Sequence, residues 1–312
     1  MLDQPTPPSR TAVARAVPLI VNTAAGGDKP QEWLATLQAK CRERGLDAQV
    51  LQVDDGQQLL AAADDAVKQG ARLVIAGGGD GTVSAVASRL VDTEAALGVL
   101  PLGTLNHFAK DLGIPLELDA AIDAIARGRE VRVDVAEVNG HVFINNSSLG
   151  LYPDIVLDRE RQRRRLGRGK WTALLSAAMH AARRYPVLSV RIGVNGVQLE
   201  RRSAFVFIGN NRYNMEGFEI GERAHLCSGE LSLYMTQRTG RFGLLRLALR
   251  ALTGRLRQAR DFDMLTATEL VVRTPQRQLR VATDGEVRLL QVPLNYRIRP
   301  GALRVMVPSL AQ

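Results

Sequence analysis

Residues 73–90 read LVIAGGGDGTVSAVASRL, a short apolar run that passes through a glycine-rich loop into a helix-like run. Four of the residues 77–81 are glycine, and the other is Asp80. In an open α/β sheet, ligands bind at the carboxyl ends of the strands, where such a loop lies. Glycines let backbone N–H groups approach phosphate oxygens, and the start of the following helix offers more of them. The stretch therefore predicts a phosphate-binding loop, with a tight ligand-free turn as the alternative.

The aspartate in this loop indicates phosphoryl chemistry. The loop matches neither GxGxxG nor GxxxxGK[ST], and it contains no lysine. Asp80 alone would repel phosphate, so its presence favours a divalent cation, Mg²⁺, between carboxylate and phosphates. Alternatively, Asp80 accepts a hydrogen bond from an arginine or a hydroxyl near the reacting group.

A second strand-to-helix loop follows at residues 101–106, PLGTLN. Gly103 and Thr104 are expected to add backbone and hydroxyl contacts to the same phosphates. Asn106 is predicted to lie at the helix N-cap, where its side chain can satisfy a free N–H group. That cap alone would explain the asparagine.

The order of secondary structure predicts two domains. The first half alternates between strands and helices, which indicates βαβ units and a parallel sheet. Its predicted strands are 17–21, 48–53, 72–76 and 97–100, and its predicted helices are 32–44, 57–69, 82–90, 106–112 and 118–127. The second half is mostly strands with Asn-Gly hairpin turns at 139–140 and 195–196, which indicates an antiparallel β-sandwich. Its predicted strands are 131–138, 141–147, 188–194, 197–209, 230–236, 269–274, 278–282 and 287–292, and helices are predicted at 158–184 and 242–257.

Amino-acid composition and charge limit the classes of binding partner that can be expected. The 312 residues carry a formal charge of +9, which suits phosphate-rich partners or is simply a solvated basic surface. Only 4% are aromatic, and no nucleic-acid-reading motif is present, so no nucleic-acid partner is expected. The cysteines, Cys41 and Cys227, are too far apart in sequence to indicate a metal or disulfide framework. Residues 1–15 lack a signal-peptide pattern and are predicted to form a disordered leader. No apolar stretch reaches the length of a membrane span, so a cytoplasmic location is expected.

Two basic segments are candidates for contact with an anionic membrane. Residues 240–260 place leucines and arginines on different faces of a helical pattern, and residues 158–171 form the densest basic run. Basic residues near an anionic surface contribute about 1 kcal/mol each. The alternatives are a helix that packs its leucines on the sandwich and a solvated helix face.

The motifs GGGDGT (77–82), PLGTLNHFA (101–109) and TDGE (283–286) together resemble the diacylglycerol kinase catalytic family, in its soluble bacterial branch related to sphingosine and ceramide kinases. GGDGT alone is shared with NAD kinases and is close to the phosphofructokinase signature. INNSSLGLYPDIV (144–156) and VFIGNNRY (206–213) are similar to segments of the family's second domain. The resemblance extends over nearly the whole chain.

The resemblance implies an ATP-dependent, Mg²⁺-dependent lipid kinase with a cleft between two domains. The nucleotide-binding α/β domain would cover 16–130 and the β-sandwich lipid-substrate domain 131–299, with 300–312 returning to the first. The implied nucleotide-binding residues are Asn22, Gly77, Gly78, Gly79, Asp80, Gly81, Thr82, Gly103, Thr104 and Asn106. The enzyme would contact an anionic membrane transiently.

The implied catalytic residues are Glu286, Asp80 and Asp284, with Glu286 as general base. A primary alcohol barely ionises at neutral pH, so phosphoryl transfer benefits from a carboxylate that accepts its proton. Without the resemblance, Asp284 and Gly285 read as a plain hairpin turn. With it, Asp284 orients the loop or binds a cation through water.

Two positions depart from the family pattern. The family usually has aspartate where this chain has His107, and an Asp-Gly pair where it has Ser228 and Gly229. The joint loss is coherent if a structural cation is absent and His107 and Ser228 interact directly or through water; otherwise catalysis has decayed. These losses leave a catalytically impaired nucleotide-binding, membrane-associated sensor as one alternative. The shared glycine loop leaves an NAD-kinase-like small-molecule kinase as another. The lipid substrate and homodimer formation are left open.

Overall fold

The computed structural model describes residues 16–23, 31–150, 188–194, 197–203, 205–214, 222–223, 225–236 and 262–309. Several predictions from sequence lie outside these residues: the leader at 1–15, the turn at 195–196, the helices at 158–184 and 242–257, and both basic segments. Among the helices that are described, none is long and apolar enough to cross a membrane.

The first half of the chain is a parallel α/β unit. Its strands are β1 (Val17–Asn22), β2 (Ala48–Val53), β3 (Leu73–Gly78) and β4 (Ala96–Pro101), in the order β2-β1-β3-β4. The described helices are α1 (Gln31–Glu43), α2 (Gly56–Lys68), α3 (Asp80–Leu90), α4 (His107–Asp111) and α5 (Leu118–Arg127). These bounds lie within two residues of the predicted ones. The apolar run of β3 is buried in the core of this unit, and its carboxyl end leads directly into α3.

The second half supplies the strands of a sandwich and of a separate two-stranded sheet, which is formed by residues 213–214 and 222–223. They are β5 (Arg129–Val138), β6 (His141–Phe143), β7 (Asn146–Gly150), β8 (Leu188–Val194), β9 (Val197–Ser203), β10 (Phe205–Asn210), β11 (Tyr213–Asn214), β12 (Glu222–Arg223), β13 (Leu231–Thr236), β14 (Phe262–Ala267), β15 (Glu269–Arg273), β16 (Gln278–Thr283), β17 (Glu286–Gln291) and β18 (Leu294–Val307). One layer is the antiparallel sheet β14-β13-β10-β7-β16-β17, and the facing layer contains β5, β6, β8, β9, β15 and β18. Apolar side chains from both layers form one shared core.

Two of the predicted strands are wrong as single strands. Residues 141–147 divide into β6 and β7, and residues 197–209 divide into β9 and β10. In each case the first strand belongs to one layer and the second to the other. Alternation of apolar residues does not record such a crossing, because the inward side chains of both layers face the same core. Sequence reasoning also missed β14 and the first half of β18.

The last strand joins the two halves of the molecule. β18 pairs in parallel with β4 through Arg304 and Val305, and antiparallel with β5 and β15. One ten-stranded sheet therefore contains both the α/β strands and one layer of the sandwich. β5 and β18 each run across one of the expected domain boundaries, at 130 and 299. The division of the chain into domains at these residues stays a prediction.

Candidate functional site

A cleft of about 1030 Å³ lies where the start of α3 faces the turn between β16 and β17. Six of the residues predicted for the site line it: Asn22, Gly79, Gly81, Thr82, Asp284 and Glu286. Sequence reasoning missed other lining residues, among them Ser84, Ser88, Arg89, His141 and Arg288. The fold thus brings a glycine loop and an acidic turn, some 200 positions apart in sequence, to one cleft.

The first glycine loop contains glycines of two kinds. A Cβ on Gly78 would lie 2.5 Å from the Thr82 side chain, so packing within the protein requires that glycine. Outside its own helix, a Cβ on Gly81 would meet nothing within 4 Å in the part of the chain that the structure describes, and Gly81 lines the cleft. Thr82 itself is held from β1, because its hydroxyl accepts a hydrogen bond from Asn22 Nδ2 at 3.3 Å. Packing therefore explains Gly78 but leaves Gly81 without a structural reason.

The second loop packs behind the first. A Cβ on Gly103 would lie 2.4 Å from Gly79 Cα, so the two loop backbones touch and leave no room for a side chain. Gly103, Thr104 and Asn106 are not among the residues that line the cleft. Their predicted contact with a nucleotide stays a prediction.

The capping role predicted for Asn106 is wrong. Asn106 occupies the N-cap position of α4, but its side chain makes no capping hydrogen bond. Its amide instead closes the preceding loop: Oδ1 accepts from Gly103 N at 3.1 Å, and Nδ2 donates to Gly103 O at 2.9 Å. With φ at 52°, the residue also adopts the left-handed conformation that asparagine tolerates better than most residues. The side chain is thus committed to the loop and does not serve the helix.

Asp80 connects the first glycine loop to the helix that follows the second loop. It begins α3, and its Oδ1 accepts a hydrogen bond from the backbone N of Phe108, in the first turn of α4, at 3.2 Å. Among the described residues, no group of three or more His, Cys, Asp and Glu side chains is arranged to hold a metal ion. Metal binding by Asp80 stays a prediction, whereas its structural contact with α4 is a further role that the sequence did not reveal.

Asp284 is both a turn residue and an anchor. Asp284 and Gly285 have φ values of 48° and 86°, and the pairing of Thr283 with Glu286 closes a two-residue hairpin of type I′. The Asp284 carboxylate accepts the backbone N–H groups of residues 144–146 at 2.8–3.0 Å and the hydroxyl of Ser84 on α3. Burial raises the pKa of Asp284, and these hydrogen bonds partly oppose the rise. Both sequence interpretations, hairpin turn and orienting residue, therefore fit its geometry.

Glu286 stands at the cleft beside an arginine and a histidine. Its Oε2 lies 2.7 Å from Arg288 Nη2, and Arg288 Nη1 lies 2.8 Å from His141 Nδ1. Burial and the nearby Arg288 lower the pKa of His141, with a small opposing effect from Glu137. We call Glu286, Arg288 and His141 the cleft-mouth cluster. Alternate residues of a strand share a face, so the spacing of Glu286 and Arg288 was the signal that could have revealed the arginine.

A second charged cluster lies buried where the two halves meet. Arg223 Nη2 and Asp111 Oδ2 are 2.7 Å apart, with 0% and 4% of the two side chains exposed. The guanidinium also donates to Ile144 O at 2.7 Å and to Asn145 Oδ1 at 2.8 Å, and it lies over the Tyr213 ring. Because Asp111 ends α4 and residues 144–145 lead into the Asp284 anchor, this Arg223 junction links both loops to the acidic turn. An arginine in a polar stretch gave no sequence signal of such burial.

Among the described residues, no hydrogen bond joins His107 and Ser228, the two positions that depart from the family pattern. Ser228 donates its hydroxyl to Asn211 Oδ1 at 2.5 Å, and its backbone N donates to the same oxygen. Gly229 N is held by Asp134 Oδ2 at 2.7 Å. The segment is thus anchored by side chains of the sandwich. The predicted absence of a structural cation stays a prediction.

Comparison with known proteins agrees with this architecture. Residues 16–138 match the model of the diacylglycerol kinase catalytic domain, and residues 154–307 match that of the YegS C-terminal NAD kinase β-sandwich-like domain. A curated protein of Klebsiella pneumoniae, "Probable lipid kinase YegS-like", is 38% identical over 135 residues, which cover 42% of this chain and 45% of that protein. "Probable lipid kinase YegS" of Escherichia fergusonii is 44% identical over 91 residues, 28% of this chain and 30% of that protein.

The matched stretches therefore span less than half the length of these curated relatives. A crystal structure described as a diacylglycerol kinase from Bacillus anthracis superposes with a TM-score of 0.68 at 21% identity. That superposition covers 94% of this chain and 96% of the other. At this level of identity, the likeness shows the fold.

Proposed function

Because the chain belongs to the diacylglycerol kinase catalytic-domain family, we propose that it is an ATP-dependent lipid kinase. It would transfer the γ-phosphoryl group of ATP to the hydroxyl of diacylglycerol or a related lipid. The observation that carries the proposal is the cleft lined by Gly79, Gly81 and Thr82 together with Asp284 and Glu286. A phosphate-binding loop and a carboxylate in one cleft are the two parts that this transfer requires.

The start of α3 is the proposed phosphate site. Backbone N–H groups at a helix N-terminus, together with the helix dipole, favour anions. Gly81 supports this assignment, because among the described residues a Cβ there would meet nothing within 4 Å beyond its own helix, and Gly81 lines the cleft. A phosphate group could therefore approach the backbone at this position.

Mg²⁺ would be held mainly by the phosphates of the nucleotide, with Asp80 as the protein carboxylate. Magnesium typically binds in this way, keeping several waters and using only one or two carboxylates. Asp80 lies in the glycine loop between Gly79 and Gly81, which line the cleft, and its Oδ1 accepts the Phe108 N–H group. The ion would supply charge neutralisation at the phosphates.

Glu286 is the proposed general base. The lipid hydroxyl oxygen attacks the γ-phosphorus, the bond from that phosphorus to the bridging oxygen of ADP breaks, and the hydroxyl proton passes to the Glu286 carboxylate. Asp284 holds the turn that carries Glu286 against α3 and residues 144–146. Its role is therefore to position the base.

The enzyme would work from the cytoplasm as a peripheral membrane protein, since its lipid substrate lies in a bilayer. The net charge of +9 favours transient contact with anionic lipid. A homodimer is compatible with this function but is not needed for it.

The test uses purified protein, Mg²⁺, γ-labelled ATP and mixed micelles that contain a panel of lipid alcohols, with NAD as a separate acceptor. Label is expected in one lipid and should fall by about 10²–10⁴-fold in Glu286→Gln, as for loss of a general base. Asp80→Ala is expected to lose label as well. Glu200→Gln is the matched control, because Glu200 forms an exposed pair with Arg191 on the β8–β9 hairpin.

Each of the other outcomes supports a different function for this protein. Label in NAD would indicate a small-molecule kinase. Binding of ATP without label in any acceptor would indicate a nucleotide sensor, and absence of ATP binding would overturn the assignment of the cleft.

A further inference from the structure

Arg288 engages one oxygen of the proposed base and competes with the proton that the base would accept. Its guanidinium engages Glu286 Oε2 through Nη2 at 2.7 Å and His141 Nδ1 through Nη1 at 2.8 Å. An arginine can only donate, so His141 Nδ1 accepts and its proton lies on Nε2. The lowered pKa of His141 agrees with a neutral ring. Two neighbours thus orient the guanidinium at the cleft mouth, and a carboxylate engaged in this way is hindered from accepting a proton elsewhere.

Arg288 also lines the cleft that contains the proposed phosphate site, together with Gly79, Gly81 and Thr82. Of the described residues that line this cleft, Arg89 is the other with a permanent positive charge, and it pairs with Asp64 of α2 at 3.5 Å. Arg288 is therefore the cation beside Glu286 where charge would develop on a transferred phosphoryl group. A planar guanidinium matches carboxylate and phosphate oxygens equally well.

We propose that Arg288 exchanges partners: it pairs with Glu286 in the free protein and with the terminal phosphoryl group of a bound nucleoside triphosphate. The exchange leaves Glu286 free to accept the proton of the acceptor hydroxyl, so that the base becomes available only when the phosphoryl donor is present. The exchange is possible because the pair is 43% and 59% exposed and is weakly held in water. This inference rests on the proposed function.

The first test measures equilibrium binding of the non-hydrolysable ATP analogue AMP-PNP and of ADP, each with Mg²⁺, by titration calorimetry. In Arg288→Gln, AMP-PNP should bind about tenfold more weakly, while ADP, which lacks the terminal group, should change less than about twofold. Arg288→Lys should fall between the two, because a lysine keeps the charge but loses the planar fork. Arg191→Gln, an exposed arginine paired with Glu200, is the matched control and should bind both nucleotides normally.

The second test separates exchange from simple phosphate binding. Glu286→Gln removes the carboxylate that competes for the guanidinium, so AMP-PNP should bind about three- to tenfold more tightly although turnover is lost. That gain should disappear in the Glu286→Gln/Arg288→Gln double variant. Loss of the Glu286 charge by itself would reduce repulsion of the triphosphate and tighten binding whether or not Arg288 is present, so a gain that persists in the double variant overturns the exchange.

The outcomes distinguish this inference from the function on which it rests. If wild-type protein and Arg288→Gln bind AMP-PNP equally well, or if Glu286→Gln binds it no more tightly, the exchange is overturned and the kinase assignment stands. If wild-type protein binds neither nucleotide, both are overturned. The readout needs no lipid, so an unsuitable acceptor panel does not affect it.

Discussion

The molecule contains two arginine–carboxylate pairs with the same closest distance but different surroundings. Arg223 and Asp111 approach to 2.7 Å with 0% and 4% of their side chains exposed, whereas Arg288 and Glu286 approach to 2.7 Å with 43% and 59% exposed. A buried ion that loses its partner cannot be resolvated, while an exposed one is taken up by water. Burial, and not contact distance, therefore decides whether such a pair stabilises the fold or can change partners.

The largest effect is expected at the Arg223 junction. Arg223→Met leaves the Asp111 carboxylate buried without its partner, so the free energy of unfolding should fall by about 3–5 kcal/mol. Arg288→Gln in the exposed pair should cost less than about 1 kcal/mol. Urea unfolding of both variants measures the difference.

A second variant tests the cause of that loss. Asp111→Leu/Arg223→Met removes both charges, and it should be more stable than Arg223→Met alone because no uncompensated charge stays buried. If the double variant is the less stable of the two, the buried-charge explanation is wrong.

Asp284 connects the junction to the cleft and should show an intermediate effect. Asp284→Asn places an NH₂ group where Oδ1 or Oδ2 now accepts N–H or O–H groups, which should cost about 1–3 kcal/mol. The backbone should be unaffected, because asparagine tolerates the positive φ of this turn. Lipid phosphorylation should fall together with stability, since Glu286 follows in the same hairpin. Unchanged turnover would mean that the hydrogen bonds of Asp284 do not position Glu286.

The glycine loops carry the same contrast between packed interior and open cleft. Gly103→Ala forces a methyl group against Gly79, and overpacking of this kind costs about 1–3 kcal/mol. Gly81→Ala adds a methyl group that meets nothing within 4 Å among the described residues outside its own helix. It should therefore leave stability unchanged or raise it by up to about 1 kcal/mol, because alanine favours a helix. It should nevertheless weaken ATP binding. Thermal unfolding measures the stability of both variants, and titration calorimetry measures their affinity for ATP. Normal ATP affinity in Gly81→Ala would contradict the proposal that phosphate binds on the open side of the loop.

The smallest effect is a pH dependence at the cleft mouth. The pKa of His141 is lowered in the folded protein from its ordinary value of 6.5, chiefly by burial and then by Arg288. The unfolded chain therefore binds the proton first, so the contribution of His141 to stability is complete above pH 6.5 and is lost as the pH falls towards the folded pKa. Between pH 8 and 5.5, wild-type protein should therefore lose more stability than His141→Gln, as measured by urea unfolding at each pH. Equal losses would show that the ring is not held neutral.

Local sequence patterns predicted most of the α/β unit. Strand and helix bounds there agree within two residues, because parallel strands buried on both faces and capped helices leave strong local signals. The Asp284–Gly285 turn could likewise be predicted, since few residues adopt two successive positive φ values. The breaks after β6 and β9 could not, because a strand that crosses between layers keeps its alternation.

For the candidate site, local sequence patterns indicated the glycines that free the backbone and Asp80 in the loop, and the family resemblance added Glu286 after the turn. Which of these residues lie close together depends on tertiary packing. That packing uses Asn106 to close the second loop, places Asp80 Oδ1 against α4, buries Arg223 and leaves Arg288 exposed beside Glu286. The physical reason is that propensity and charge belong to a residue, whereas desolvation and partner choice belong to the packing of segments that are distant in sequence.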